Sequence, residues 1–137
     1  MFRFQIAGYL TSAVIGVLGV WLLLAAPDWA ERYLASPGAR PSGVDSFRFV
    51  ASWMLIVALL LLAAAYAPPP PATQRLLALA MTAGLAVLTA VHVQVLLGNG
   101  QAGTIRWLPP LRMDTVFFGA LALYWAAVSR AVWQAVG

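Results

Sequence analysis

The sequence predicts an all-α membrane protein, a bundle of four transmembrane helices with a short interfacial helix in the first loop. The 137-residue chain is 63% hydrophobic and 9% charged, whereas a soluble domain carries about 25% charged residues. It also contains four long apolar stretches, and a helix needs about 20 such residues to cross a bilayer. The length allows one domain, residues 1–137.

The four predicted helices cover about residues 6–26, 49–67, 76–97 and 115–136. We interpret the first as a retained helix rather than a cleaved signal peptide, because its apolar run is too long for one and Pro27 stands where cleavage would fall. The proline run "PPPP" forces a tight reversal between the second and third helices.

The first loop predicts the interfacial helix. Pro27 is a helix start signal, and the "SPG" that follows is a stop signal. Trp29 and Tyr33, four residues apart, share a face that suits the lipid headgroups. Helix-breaking residues from Gly98 onwards predict the third loop. Asp45 and Asp114 are the predicted N-caps of the second and fourth helices.

Several functional classes are excluded or disfavoured. The chain has no cysteine, so disulfides and zinc–thiolate sites are excluded. Its basic residues are all arginine and form no patch, so we expect no nucleic-acid partner. Motifs for phosphate binding or nucleophilic catalysis are absent, so no catalytic residue and no metal ligand is assigned, and we favour a protein that is not an enzyme.

Small residues at four-residue spacing predict helix packing. The first helix carries Gly8, Ser12 and Gly16, and the third carries Ala80 and Gly84. Such ridges let helix backbones approach closely in lipid, either within the bundle or against another subunit.

His92, the only histidine, lies within the third apolar stretch. The predicted helices bring it to the same half of the bilayer as Arg48, Ser52 and Asp114, which together form the candidate ligand-binding set. Three alternatives remain open for His92: a hydrogen bond to a neighbouring helix through Ser52 or Thr115, a pocket for a lipid or quinone, or ligation of haem. We expect no cofactor as the simplest case.

Arg48 should pair with Asp45, Asp114 or an anionic headgroup.

The arginines bear on topology. Arg3, Arg75 and Arg130 share the side of the termini, and the other side carries Arg32, Arg40, Arg48, Arg106 and Arg112. The arginine count alone favours the second side as cytoplasmic. The first helix often dominates, however, and Arg3 precedes it without an acid. We therefore expect both termini in the cytoplasm.

The layout resembles the DoxX-like group of small four-helix proteins of the bacterial inner membrane. The resemblance rests on the loop that opens with Pro27, on Arg48 at the entry of the second helix, and on "LRMD" before the fourth. It implies a membrane subunit of a quinone-linked enzyme complex. The expected function is an accessory subunit that packs against other membrane helices. The alternative is a binder of a lipid or quinone in the leaflet of the first and third loops.

Overall fold

Four α-helices form the structure, a computed structural model that describes residues 2–102, 105 and 108–134. The helices are α1 (Phe2–Tyr33), α2 (Arg40–Tyr66), α3 (Pro71–Ala102) and α4 (Pro109–Gln134), with a short 3-10 helix at Pro37–Ala39. All four α-helices are long and apolar enough to cross a membrane. This confirms the predicted all-α bundle and makes the chain a multi-pass membrane protein. Arg106 and the predicted helix end at residue 136 lie outside the described residues.

The predicted interfacial helix is wrong as a separate element. The segment after Pro27 is the last part of α1, which continues to Tyr33 with Pro27 inside it. Proline removes one backbone hydrogen bond, but ending the helix here would leave several more backbone groups without their helical partners. Aromatic contacts across the proline support the continuous helix: the Trp21 and Trp29 rings meet edge to face at 5.2 Å, and Trp29 lies 5.5 Å from Tyr33.

The other helix ends also differ from the prediction. α3 continues through Gly98 to Ala102, and α4 starts at Pro109. Proline suits the first position of a helix because its missing N–H would have no partner there. Asp114 therefore lies inside the beginning of α4, and Asp45 lies inside α2, whose N-cap is Ala39. Neither aspartate is an N-cap.

The helices pack as two antiparallel pairs, α1 with α2 and α3 with α4. Small residues bring α1 close to α2: a Cβ atom on Gly8 would lie 2.8 Å from the Cβ of Ala65. Ser12 Oγ donates a hydrogen bond of 2.7 Å to the backbone oxygen of Ala58. The loops at the far end meet where Leu34 and Ile105 form an isolated antiparallel bridge.

The two pairs join through α1 and α4 near the end of the bundle that carries the N-terminus. Trp125 is fully buried and contacts Phe4 edge to face, with ring centroids 6.0 Å apart. Its Nε1 donates a hydrogen bond of 3.0 Å to Thr11 Oγ1, which is also buried. This contact, the Trp125 latch, holds α1 against α4 near the N-terminal end of α1.

Candidate functional site: the cleft between α1 and α4

Beyond the Trp125 latch, α1 and α4 border a cleft that runs towards the first and third loops. Its volume is about 910 Å³, at the upper end of the roughly 300–1,000 Å³ that ligand pockets occupy. The α1 wall comprises Ala13, Val14, Val17, Leu18, Trp21, Ala25, Asp28, Trp29 and Arg32. The α4 wall comprises Pro109, Pro110, Met113, Asp114 and Phe117.

The α1 wall follows from the helical period of the sequence. Val14, Val17, Trp21 and Asp28 recur at spacings of three, four and seven residues, which aligns them along one side of the helix. The small-residue ridge lies roughly half a turn away on the same helix and packs on α2. Because that ridge commits one side of α1 to α2, the opposite side is left to form the cleft.

Three charged side chains surround the loop end of the cleft, Asp28 and Arg32 from α1 and Asp114 from α4. Asp28 lies five residues before the end of α1, and Asp114 lies five residues after the start of α4. Each of the two residues is therefore about 7–8 Å along the helix axis from its own helix end, and the two stand on opposite walls of the cleft. In the described part of the chain the only ion pair joins Arg40 and Glu31, at 3.9 Å. The three charges at the cleft are thus not neutralised by one another.

Aromatic rings border the apolar part of the cleft. Trp21 and Trp29 stand on the α1 wall and Phe117 faces them from α4. Trp21 is about half exposed, so its ring is available to a ligand. Rings of this kind combined with a few polar groups at one end are typical of a site for an amphiphile.

Asp114 connects the cleft to His92. The carboxylate interacts electrostatically with Tyr33 on α1 and with His92 on α3. His92 Nδ1 lies 2.8 Å from the backbone oxygen of Leu88. A carbonyl oxygen only accepts, so Nδ1 donates this hydrogen bond. The ring also packs on Phe118, with centroids 5.3 Å apart. His92 is partly buried between α3 and α4 and is not part of the cleft lining.

The predicted ligand-binding set is divided between two places. Asp114 lines the cleft and His92 lies near it, whereas Arg48 and Ser52 are exposed on α2. Ser52 Oγ donates to the backbone oxygen of Arg48 in its own helix, at 2.8 Å, and Thr115 Oγ1 donates to Leu111 within α4. Within the described residues no hydrogen bond joins His92 to either hydroxyl, and the ring bonds Leu88 of its own helix instead. Among the residues that the structure describes, Arg48 forms no ion pair, so its expected pairing with Asp45 or Asp114 is wrong, and the anionic headgroup, the third expected partner, stays a prediction.

The predicted packing residues of α1 and of α3 lie in different surroundings. Gly8, Ser12 and Gly16 face α2, where the nearest atom to a Cβ on Gly16 would be the Cβ of Ala58 at 3.6 Å. On α3, Ala80 is exposed and a Cβ on Gly84 would meet nothing within 4 Å. The first ridge therefore packs inside the bundle, and the second faces outward.

Sequence reasoning missed the cleft residues Trp21, Asp28 and Arg32. It assigned Asp28 and Arg32 to a separate interfacial helix in the first loop, because Pro27 was taken as the start of that helix. The spacing of apolar and charged residues along one side of α1 continues across Pro27, and this was the signal available. Among the described residues no group of three or more histidine, cysteine or acidic side chains can hold a metal ion.

Comparison with family models, with curated proteins and with solved structures finds no match. The resemblance to DoxX-like proteins therefore stays a prediction.

Proposed function

We propose that this protein binds an amphiphile, a membrane lipid or a quinone, in the α1–α4 cleft, and that it does so in a bacterial inner membrane. The observation that supports the proposal is the cleft itself, with its apolar aromatic walls and its charged groups at one end. An amphiphile has the same arrangement, with a polar head at the membrane surface and an apolar chain below it. The charged end of the cleft points towards the first and third loops, and this supports the alternative function expected from the sequence, a lipid or quinone bound at that end of the bundle.

The test places a bulky tryptophan side chain in the cleft, where it would exclude a ligand. Val17 lines the cleft and is exposed, whereas Val20 is exposed on α1 but is not part of the cleft lining. After gentle detergent extraction and washing, lipid and quinone retained per protein are measured by chromatography and mass spectrometry. We expect the wild-type protein and Val20→Trp to retain an amphiphile and Val17→Trp to lose it. Equal retention by both variants would contradict the proposal.

A second function, an accessory subunit that packs on other membrane helices, is supported by α3. Of the four membrane-spanning helices, α3 has the smallest buried share of its apolar span. Ala80, Gly84, Val87 and Val91 form an exposed stripe along it, and small residues in such a stripe favour helix contacts in lipid. On this proposal Gly84→Leu reduces the size of the complex extracted in mild detergent. Ala86→Leu, exposed but off the stripe, leaves the size unchanged.

A further inference from the structure

We propose that the ligand of the cleft is a phospholipid with a primary ammonium group, of the phosphatidylethanolamine class. Its ammonium lies between Asp28 and Asp114, and its phosphate lies at Arg32. The proposal rests on the amphiphile-binding function above and specifies the chemistry of the polar head.

The charges at the cleft define this head. Two carboxylates and one guanidinium give a local charge of −1, from Asp28, Asp114 and Arg32. A head with a net negative charge meets repulsion from two carboxylates. A head with one cation and one anion places opposite charges beside both kinds of side chain. Within the described residues none of the three forms an ion pair, although Asp114 interacts electrostatically with His92, so a zwitterionic head finds both signs of charge open to it.

The positions of the three residues suit a small head. Asp28 and Asp114 line the cleft from opposite walls, each about one and a half turns from the loop end of its helix. Arg32 follows Asp28 by one turn, about 6 Å along α1. Side chains on a helix tilt towards its N-terminus, so Arg32 leans back along α1 while Asp114, on an antiparallel helix, leans towards the loop end. The guanidinium and the Asp114 carboxylate therefore lean towards each other's level, which suits the short link between an ammonium and a phosphate, and Asp28 leans towards the apolar part of the cleft.

A primary ammonium suits this site better than a quaternary one. It has N–H donors, and the two carboxylates are acceptors. A quaternary ammonium has no such donors and is held mainly by open aromatic faces. Trp29 packs on Trp21 at 5.2 Å and on Tyr33 at 5.5 Å, so these contacts cover part of the aromatic surface that a quaternary ammonium would use.

The apolar part of the cleft matches the tail of a lipid. From Ala25 to Ala13 the α1 wall contains no charged residue, and these twelve steps span about 18 Å. One leaflet of the hydrocarbon core is about 15 Å thick, half of the roughly 30 Å bilayer. The α1 wall is therefore long enough to run beside an acyl chain from the headgroup level to the bilayer centre, and the α4 wall, from Pro109 to Phe117, borders about 12 Å of that length.

The experiment is native mass spectrometry of the full chain with an equimolar mixture of phosphatidylethanolamine, phosphatidylcholine and phosphatidylglycerol of identical acyl chains. We expect the ethanolamine lipid to be retained roughly tenfold or more over the other two, because charge-assisted hydrogen bonds are among the stronger ones. The double variant Asp28→Asn/Asp114→Asn should lose this preference while still retaining lipid. The matched control Asp45→Asn, an exposed aspartate on α2, should keep it. Arg32→Gln should weaken retention of all three lipids.

Equal retention of the three lipids by the wild-type protein would overturn the proposal, as would a preference that persists in the double variant. Those outcomes leave the cleft as a binding site for an amphiphile of another kind. A wild-type protein that retains no lipid and no quinone would instead overturn the proposed function. Circular dichroism and thermal unfolding of each variant establish that it is folded before its lipid content is compared.

Discussion

Single residues of the α1–α2 contact differ in how much space they leave. A Cβ on Gly8 would come within 2.8 Å of the Cβ of Ala65, whereas a Cβ on Gly16 would meet Ala58 at an ordinary 3.6 Å. The two glycines were predicted as one ridge from their spacing, and spacing alone does not distinguish them. The distinction depends on the distance between the helix axes at each position, which only the assembled pair defines.

We therefore expect opposite results for two matched substitutions. Gly8→Ala should lower the free energy of unfolding, because overpacking costs about 1–3 kcal/mol and exceeds the gain of about 0.5–1 kcal/mol from replacing a helical glycine. Gly16→Ala should be neutral or stabilising, since only the gain applies. Thermal unfolding in detergent micelles measures both. A Gly16→Ala variant as unstable as Gly8→Ala would show that the contact at Gly8 is not the tighter of the two.

His92 illustrates how far the sequence alone could lead. Its position in an apolar stretch predicted a polar role inside the membrane, and its proximity to Asp114 was inferred from the depths of the two residues. The structure brings the two within electrostatic interaction. The hydrogen bond of His92 to Leu88 in its own helix was not inferred, because the sequence analysis considered only partners on neighbouring helices. A backbone acceptor in the same helix competes with such partners.

At the scale of elements, the ends of helices were the least predictable feature. The centres of all four were evident from their apolar length. Pro27 and Gly98 were taken as helix ends, because proline and glycine commonly end helices in soluble proteins. In water a backbone group that leaves the helix can bind solvent. In an apolar environment those groups have no solvent partner, so α1 and α3 continue past both residues. The extra turns of α1 are the part that carries Asp28 and Arg32 into the cleft.

The Trp125 latch between α1 and α4 should show measurable coupling. Thr11→Val and Trp125→Phe each remove one partner of the hydrogen bond from Trp125 Nε1. A double-mutant cycle on the free energy of unfolding should give a coupling energy on the order of 0.5–2 kcal/mol. A parallel cycle of Trp125→Phe with Ser12→Ala serves as the control, because Ser12 bonds α2 instead. Equal coupling in the two cycles would mean that the hydrogen bond has no specific role.

At the scale of the whole molecule, four crossings leave both termini on one side of the membrane, and the cleft opens towards the other. We predict that the termini are cytoplasmic, because Arg3 precedes the first helix without an acid. A reporter enzyme that is active only in the cytoplasm should be active when fused to the C-terminus, and one that needs the periplasm should be inactive. The reverse pattern would turn the cleft towards the cytoplasm.

The cleft itself could not be predicted from the sequence. It exists because a buried Trp125 joins α1 to α4 at one end, while the small-residue ridge holds the other side of α1 against α2. Both conditions depend on which helices become neighbours. When every face of a helix is apolar, its periodicity does not show which face contacts another helix. An apolar side chain can lie against lipid as well as against protein.

The most direct measurement is photo-cross-linking with a phospholipid that carries a diazirine in its acyl chain, added in equimolar amount to the protein in detergent. Cross-linked positions are mapped by mass spectrometry. The account predicts that they concentrate on the cleft residues Val14, Val17, Trp21 and Phe117, and that Val17→Trp removes them. An even distribution over the exposed apolar faces of α2 and α3 would contradict it, because lipid would then contact this protein only as part of the surrounding bilayer.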